Sequence, residues 1–497
     1  MAYLRPGVYV QETLNPVAPL VGAASDTVAA FIGANDRGPT TPTLIASWSD
    51  YTTQFGTWNT TASNNLALGV YMYFANGGSR AYVSRVIAGS PAAATRTFTD
   101  RAGTPLNTLR LSAKNVGTWG NNLNVSISDA LTAGKFDLTV YYNGTTDSAI
   151  VEQFTDLSMT TTDARFAPTV INAASTYVAA TDLVSATTGA NKNPAVVTNT
   201  SLASGANGST VSTITTYSGF DTIQESLTLN VPGFTDATTV NAAISYAVGR
   251  GDVFVVIDGV NDTAANQITL AASYTASSQA AVYYPQLTIA DPTLGVSGAT
   301  GSTKTIGAGA AVVGLYVATD SARGVFKAPA GLTARLAGAV SVPSLTNTEL
   351  DNLNSASAAV NAIKFVSGSG IVVMGARTLK SGFIDKYVPV RRTLIYLRKS
   401  LTDLSQFALF EPNDPALWRR LNSTLSSFLT GFWSQGGLVG GTPNQAYYVK
   451  VDATNNPQQS VDNGYCNIEV GVALQRPAEF IVIKIGQFNG STTVTVA

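Results

Sequence analysis

The 497-residue sequence contains no histidine. That absence excludes every Ser-His-Asp and Cys-His mechanism, and every His-ligated metal site, before any motif is sought. A single cysteine, Cys466, leaves no partner for an intrachain disulfide, so folding does not require an oxidising compartment. Charge is sparse as well: Asp, Glu, Lys and Arg make up 12% of residues, against a usual share of roughly 25%. The 29 basic and 30 acidic side chains nearly cancel, to a net charge of −1, which leaves no long-range field to steer DNA, an anionic membrane or an acidic substrate. Weak self-repulsion instead permits association. Long apolar runs are also missing: the longest, Ile306–Ala318, falls short of the roughly 20 residues that span a bilayer. Met1–Gln11 holds no apolar segment of the signal-peptide kind, so a soluble chain made in the cytoplasm is expected. No cofactor, bound metal, direct nucleic-acid partner or stable membrane insertion is expected, and Asp-x-Asn-x-Asp-Gly patterning for a cation loop is absent.

What is present is a sequence of changing texture. Tyr3–Glu12 alternates Leu4, Val8 and Val10 against Tyr3, Arg5, Tyr9 and Gln11 and carries Pro6, the mark of an edge strand. A Pro/Gly/Ala-rich stretch, Asn15–Gly22, follows, so residues 1–22 read as an arm and linker. Strand Thr27–Gly33, a helix over Asn64–Asn76 and strand Ala81–Ile87 then give a β-α-β unit. From 92 to 218 the composition shifts to Thr, Ser, Asn and Gly with short alternating strands at Thr108–Ser112, Leu123–Ser128 and Phe136–Tyr142, which predicts an inserted β-rich domain. The α/β pattern resumes over 219–375. There Val253–Asp258, Val282–Ile289 and Ile371–Gly375 read as strands, and Val240–Val248, Ser273–Ala281, Ile306–Ala318 and Glu349–Ile363 as helices. Residues 23–91 and 219–375 therefore form one discontinuous α/β domain. Residues 376–497 read as an α+β domain, with helices Tyr387–Leu404 and Asp414–Thr430 (N-cap Asp414, stop Gly431) and strands Ala446–Val451, Tyr465–Leu474 and Glu479–Gln487.

Candidate chemistry is thin. Asp258 ends a parallel strand where α/β folds place ligands, but no histidine exists to partner it, and a structural Asp capping the next turn is expected. Gly298–Thr305 lacks the Gly before Lys304 that a phosphate loop needs, and reads as a loop leading into a helix. The most informative cluster is basic: nine Lys/Arg against four acids between Arg377 and Arg420. On the Tyr387–Leu404 helix, Val390, Leu394, Leu397, Leu401 and Leu404 share one face, while Arg391, Arg392, Arg398 and Lys399 share the other with Ile395 among them. This predicts an exposed positive face suited to an acidic protein surface; a merely solvated helix face is the plain alternative.

At this point the residues resemble a known family, the contractile tail sheath proteins of bacteriophages and related injection particles. The likeness rests on Pro6-Gly-Val-Tyr-Val-Gln-Glu12, Phe31-Ile-Gly33, Gly117-Thr-Trp-Gly-Asn121, Val151-Glu-Gln-Phe154, Tyr283-Tyr-Pro285 and Asp291-Pro292. It rests above all on Thr319-Asp-Ser-Ala-Arg-Gly-Val-Phe-Lys-Ala-Pro-Ala330, Leu353-Asn354, Gly375-Ala-Arg-Thr378 and Phe480–Phe488, in that order along most of the chain.

The resemblance implies a non-enzymatic structural polymer. Subunits would stack as hexameric rings around an inner tail tube, meet baseplate and tail terminator proteins, and contract to drive the tube through a host envelope for genome delivery. It implies a subtilisin-like α/β domain without protease function, an inner C-terminal domain, and terminal arms that complete neighbouring sheets. Leu4, Pro6, Val8 and Val10, and Phe480, Ile481, Val482, Ile483 and Ile485, would be the donated strands. Arg391, Arg392, Ile395, Arg398 and Lys399 would touch the tube. The expected location is the virion tail, assembled in the host cytoplasm. The alternatives are the sheath of a non-phage injection particle, a degenerate subtilisin-like hydrolase and a secreted β-rich surface protein.

Overall fold

Strands that are apolar on both faces must be covered on both faces, and here they lie at the centre of a sheet. The structure is a computed structural model that describes residues 27–58, 65–293, 303–382 and 386–479. Among these, one compact unit comprises residues 27–322 and 329–386, and a second comprises 323–328 and 387–479.

The first unit is built on an eight-stranded sheet in the order Gly370–Val373, Val360–Val366, Ala280–Tyr284, Val253–Asp258, Leu227–Asn230, Val28–Ala34, Ala81–Val86, Thr43–Ile45. The six inner strands are parallel, and the two edge strands run antiparallel to their neighbours. Val253–Asp258 and Ala280–Tyr284 are buried at every position. Helices Asn65–Ala75, Ala237–Arg250, Ala264–Ala272 and Asn347–Ser355 lie in the crossovers between parallel strands, as βαβ connections require. Each boundary has a local cause. Asp236 accepts from the Thr239 N–H to start Ala237–Arg250, and Gly251, at φ 80°, ends it.

Four expected elements move. The helix expected over Ser273–Ala281 lies instead at Ala264–Ala272, where the Thr263 hydroxyl caps its first turn, and Ala280 already belongs to a strand. The helix expected over Glu349–Ile363 stops at Ser355, because Val360–Val366 takes a place beside Ala280–Tyr284. Val282–Ile289 is two strands: Pro285 cannot donate to a ladder, and Leu287–Ala290 leaves to pair with Thr303–Ile306 and Ala339–Ser341. The helix expected over Ile306–Ala318 runs from Gly309 to Arg323. Arg377 and Leu379 pack with the sheet, since Asn361 bonds the Arg377 backbone on both sides and the Leu379 N–H donates to the Ala280 carbonyl.

Between the second and third parallel strands in sequence, the chain forms two antiparallel sheets. One orders Val197–Ser201, Leu123–Asp129, Phe136–Tyr142 and Ile150–Leu157; the other orders Thr95–Thr99, Asn107–Ala113 and Val178–Asp182. Leu123, Val125, Ile127, Phe136, Leu138 and Val140 alternate inward to a core of this region's own. Two arginines from the α/β layer enter this region. The Arg37 guanidinium lies 4.1 Å from the Tyr177 ring centre and 4.8 Å from that of Trp119, while donating to the Thr53 carbonyl at 2.8 Å. Arg85 donates to the Asn35 and Val116 carbonyls, each at 2.6 Å, and burial pulls its pKa down to about 10.

In the second unit, Asp414 accepts from the Ala416 and Leu417 N–H groups and starts helix Pro415–Ser434, as expected. Gly431 does not stop it; the helix closes at Gln435. Val325 and Phe326 reach its core, with Phe326 edge-on to Phe432 at 5.2 Å. Beside the two helices, Tyr447–Lys450 pairs antiparallel with Glu469–Val472 in a two-stranded ribbon.

Replacing Arg37 with Ala is expected to lower stability by about 2–4 kcal/mol, through loss of the ring contacts and a buried charged hydrogen bond. Arg37→Lys, which keeps the charge but not the flat stacking, is expected to lose roughly half as much. Urea unfolding followed by near-UV circular dichroism measures both.

Candidate functional site

An open parallel sheet offers a ligand crevice at the carboxyl ends of its strands, where the strand order reverses. That reversal falls between Val28–Ala34 and Leu227–Asn230, with Asp258 at the end of the next strand. Asp258 is 2% exposed, and its oxygens accept from the Gly309 N–H at 2.7 Å and the Gly233 N–H at 2.8 Å. The Asn230 amide stands 3.4 Å away and also donates to the Val256 carbonyl. Gly309 opens the Gly309–Arg323 helix, so the carboxylate sits on a helix N-terminus. Gly307 and Gly309 are glycines for a steric reason, since a Cβ at either would run into the Asp258 carboxylate. Burial pushes the Asp258 carboxyl upward, against the pull of its three donors. Asp258 is therefore structural, as expected, but it fastens a distant helix rather than the next turn. The helix start fills the place a ligand would take. Of the failed phosphate loop, Gly298–Ser302 lies outside the described residues, and Thr303–Ile306 is a strand rather than a loop.

The basic helix runs from Val388 to Ser405 and is not two-faced over its first turns. Arg391 is 7% exposed, Arg392 4% and Ile395 2%, in line with Val388, Pro389, Val390 and Thr393. The expectation of an exposed positive face over all five residues is corrected on this point. The helix start is enclosed on every side, so a face read from periodicity alone cannot be exposed there, and neither Arg391 nor Arg392 lacks a partner. Arg398 and Lys399, two turns on, are half-buried, and Lys399 pairs with Asp403 one turn along the same helix.

The ribbon presents a different opportunity. Its residues are mostly half-buried, and among the described residues no third strand of regular length joins the two. The segments expected to add strands, Leu4–Val10 and Phe480–Ile485, lie outside the described residues.

Among the described residues no cluster of His, Cys, Asp or Glu could hold a metal ion, and no helix is long and apolar enough to cross a membrane.

Residues 386–488 match the family model described as the phage tail sheath C-terminal domain. By that match, the C-terminal part of the chain is similar to phage tail sheath proteins. A tail sheath protein of Vibrio phage KVP40 is 26% identical over 127 residues, which are 25% of this chain and 18% of that protein. The aligned stretch thus spans under a fifth of that relative's length. The sheath fold itself extends over nearly the whole chain. A chain of the six-fold symmetrised anti-feeding prophage baseplate superposes with a TM-score of 0.58 at 22% identity, covering 98% of this chain and 99% of its own. The sheath complex of the PVC extracellular contractile injection system in its contracted state gives 0.57 at 22% identity, covering 98% and 99%. The sheath tail protein from Listeria innocua gives 0.58 at 15% identity, covering 87% and 90%. These relatives are structural proteins, not enzymes.

Periodicity alone does not find two sets of residues. Val325 and Phe326, inside the Thr319–Ala330 motif, are core anchors of the second unit. Arg37 and Arg85 carried no signal except that charge is rare in this chain. Asp258→Asn would set an amide donor against a backbone N–H and is expected to cost about 1–3 kcal/mol. Asp258→Ala, which strands both N–H groups, is expected to cost more; thermal unfolding of the two variants ranks them.

Proposed function

We propose that the chain is the sheath subunit of a contractile tail or related injection particle. Copies polymerise as hexameric rings around an inner tube, and the lattice shortens to drive the tube through a cell envelope. The observation that carries this reading is the sheath fold over 98% of the chain, joined to the family match at 386–488. The matched anti-feeding prophage and PVC assemblies favour a phage-like injection particle as strongly as the family model favours a phage. The particle's baseplate and terminator would be further partners, and assembly would take place in the host cytoplasm.

In this reading residues 23–91 and 219–375 form the subtilisin-like domain, a reading supported by the six parallel strands and by the buried Asp258 at a strand end. Residues 92–218 are the outer insertion, and the chain from 376 is the inner domain, with residues 376–386 as its lead-in from the sheet. Arm residues Leu4, Pro6, Val8 and Val10, and Phe480–Ile485, extend the ribbons of neighbouring subunits. The narrow, two-stranded ribbon supports this, because backbone pairing supplies affinity without demanding sequence. About five such bonds at roughly 1 kcal/mol each make a tether that survives large rotations. Arg398 and Lys399 remain for the tube contact, whereas Arg391, Arg392 and Ile395, being buried, serve the subunit's interior. Exposed pairs worth about 0–1 kcal/mol each suit an interface that must hold and then slip.

Negative-stain microscopy of the purified protein is expected to show tubes of cogwheel section; only dispersed monomers, at any concentration or with tube protein added, would overturn the proposal. The double variant Arg398→Glu, Lys399→Glu should fold normally yet fail to co-sediment with tubes, and undiminished co-sedimentation refutes the tube contact. Ile483→Pro should leave the subunit folded and raise the concentration needed for polymerisation at least 10-fold, since proline removes a ladder donor.

A further inference from the structure

The connector between the two long helices of the second unit ends in a β-turn whose residue type contradicts its geometry. The Glu411 N–H donates to the Ala408 carbonyl at 3.3 Å. Leu409 has φ −65° and ψ 128°, and Phe410 has φ 64°. These are the features of a type II turn, which calls for Gly or Asn at its third position. Phenylalanine there sits in the left-handed region that bulky residues avoid. Among the described residues, most other non-glycines with positive φ are Asn, Asp or Ser, and Phe410 is the sole aromatic.

Among the described residues, no ring contact or core cluster includes Phe410 to offset this strain. Phe410 is 89% exposed, and the adjoining Leu409 is 38% exposed. The turn is nevertheless held firmly on both sides. Before it, the Arg420 guanidinium lies 4.4 Å from the Phe407 ring centre. After it, the Trp418 indole donates to Asn413 at 2.8 Å, Asn413 donates to the Tyr465 carbonyl at 2.9 Å, and Asp414 caps the next helix. A strained apolar side chain fixed outward by a rigid frame is a preformed contact.

The flanking charge indicates what it meets. Asp403, Glu411 and Asp414 are exposed on one set of positions, and Arg419 and Arg420 on another, all within the same connector and adjoining helix turns. A surface with both signs side by side complements a copy of itself better than a partner of one sign. We propose that Leu409–Phe410 is an intersubunit knob that buries against a second copy of this chain in the assembled lattice. This rests on the reading of the chain as a polymerising sheath subunit.

The test is Phe410→Gly, which relieves the positive φ and removes the ring together. The isolated subunit should be at least as stable as the parent, while the concentration at which tubes form rises at least 10-fold, the effect expected for losing a buried aromatic contact. Tube formation at the parent's concentration overturns the knob. Failure of the parent itself to form tubes would instead strike the sheath reading. In a Cys466→Ser background, Phe410→Cys carrying a benzophenone maleimide should cross-link one sheath chain to another on illumination of assembled tubes. Cross-links found only within one chain, or only to tube protein, overturn the assignment to a second copy.

Discussion

The Asp258 carboxylate is the tie on which the α/β layer depends. Taking an ionisable group out of water is costly unless donors surround it, and two backbone N–H groups with one amide do so here. Those donors come from two distant stretches: the end of Leu227–Asn230 with the turn that follows it, and the start of Gly309–Arg323. The tie therefore fixes the start of a helix whose first eight residues are all buried. It also requires glycine at 307 and 309, so one buried charge dictates residue choice at two positions 50 residues on in the chain. In an enzyme of this layered type the same place would have to stay open to solvent and substrate. Here the chain has filled it with its own backbone, which turns a potential reaction centre into a fastening.

A similar economy of charge governs the inserted region. With 12% charged residues, few ionic groups are available, and several of them are spent inside the molecule rather than on its surface. Arg37 among Tyr177 and Trp119, and Arg85 between the Asn35 and Val116 carbonyls, join the α/β layer to the insertion by contacts that only a planar, permanently charged guanidinium makes. Asn207 adds a bond from the far end of the insertion to Asp36 at 3.3 Å. Three fastenings at one junction tie this region to the layer by side chains as well as by the connecting chain.

Much of this architecture is written locally. Parallel strands such as Val253–Asp258 are visible as continuous apolar runs, and the Phe136–Tyr142 strand is bounded by its own alternation. Caps such as Asp414 are legible because capping is a short-range bond. The misplacements share one cause. Ala280–Ala281 and Val360–Ile363 suit a helix or a strand by composition, and only a vacancy beside another strand, dictated from far away in sequence, decides between them. The buried Arg391 and Arg392 were misread for the same reason, since periodicity assumes one covered face and cannot count how many sides of a helix are enclosed.

What remains exposed is more telling in a chain of such low charge. A monomer kept soluble by its surface gains nothing from a sheet of only two described strands, nor from Phe410 held in water in a conformation it resists. The two features differ in kind, and the difference has a mechanical meaning. Backbone pairing at a ribbon edge tolerates rotation about a connecting strand, so it persists while subunits turn. A rigid aromatic knob does not tolerate such change: its contact exists in one arrangement of neighbours and is lost or remade in another. A lattice that combined both would stay connected through its arms while its knobs distinguished one packing from the next.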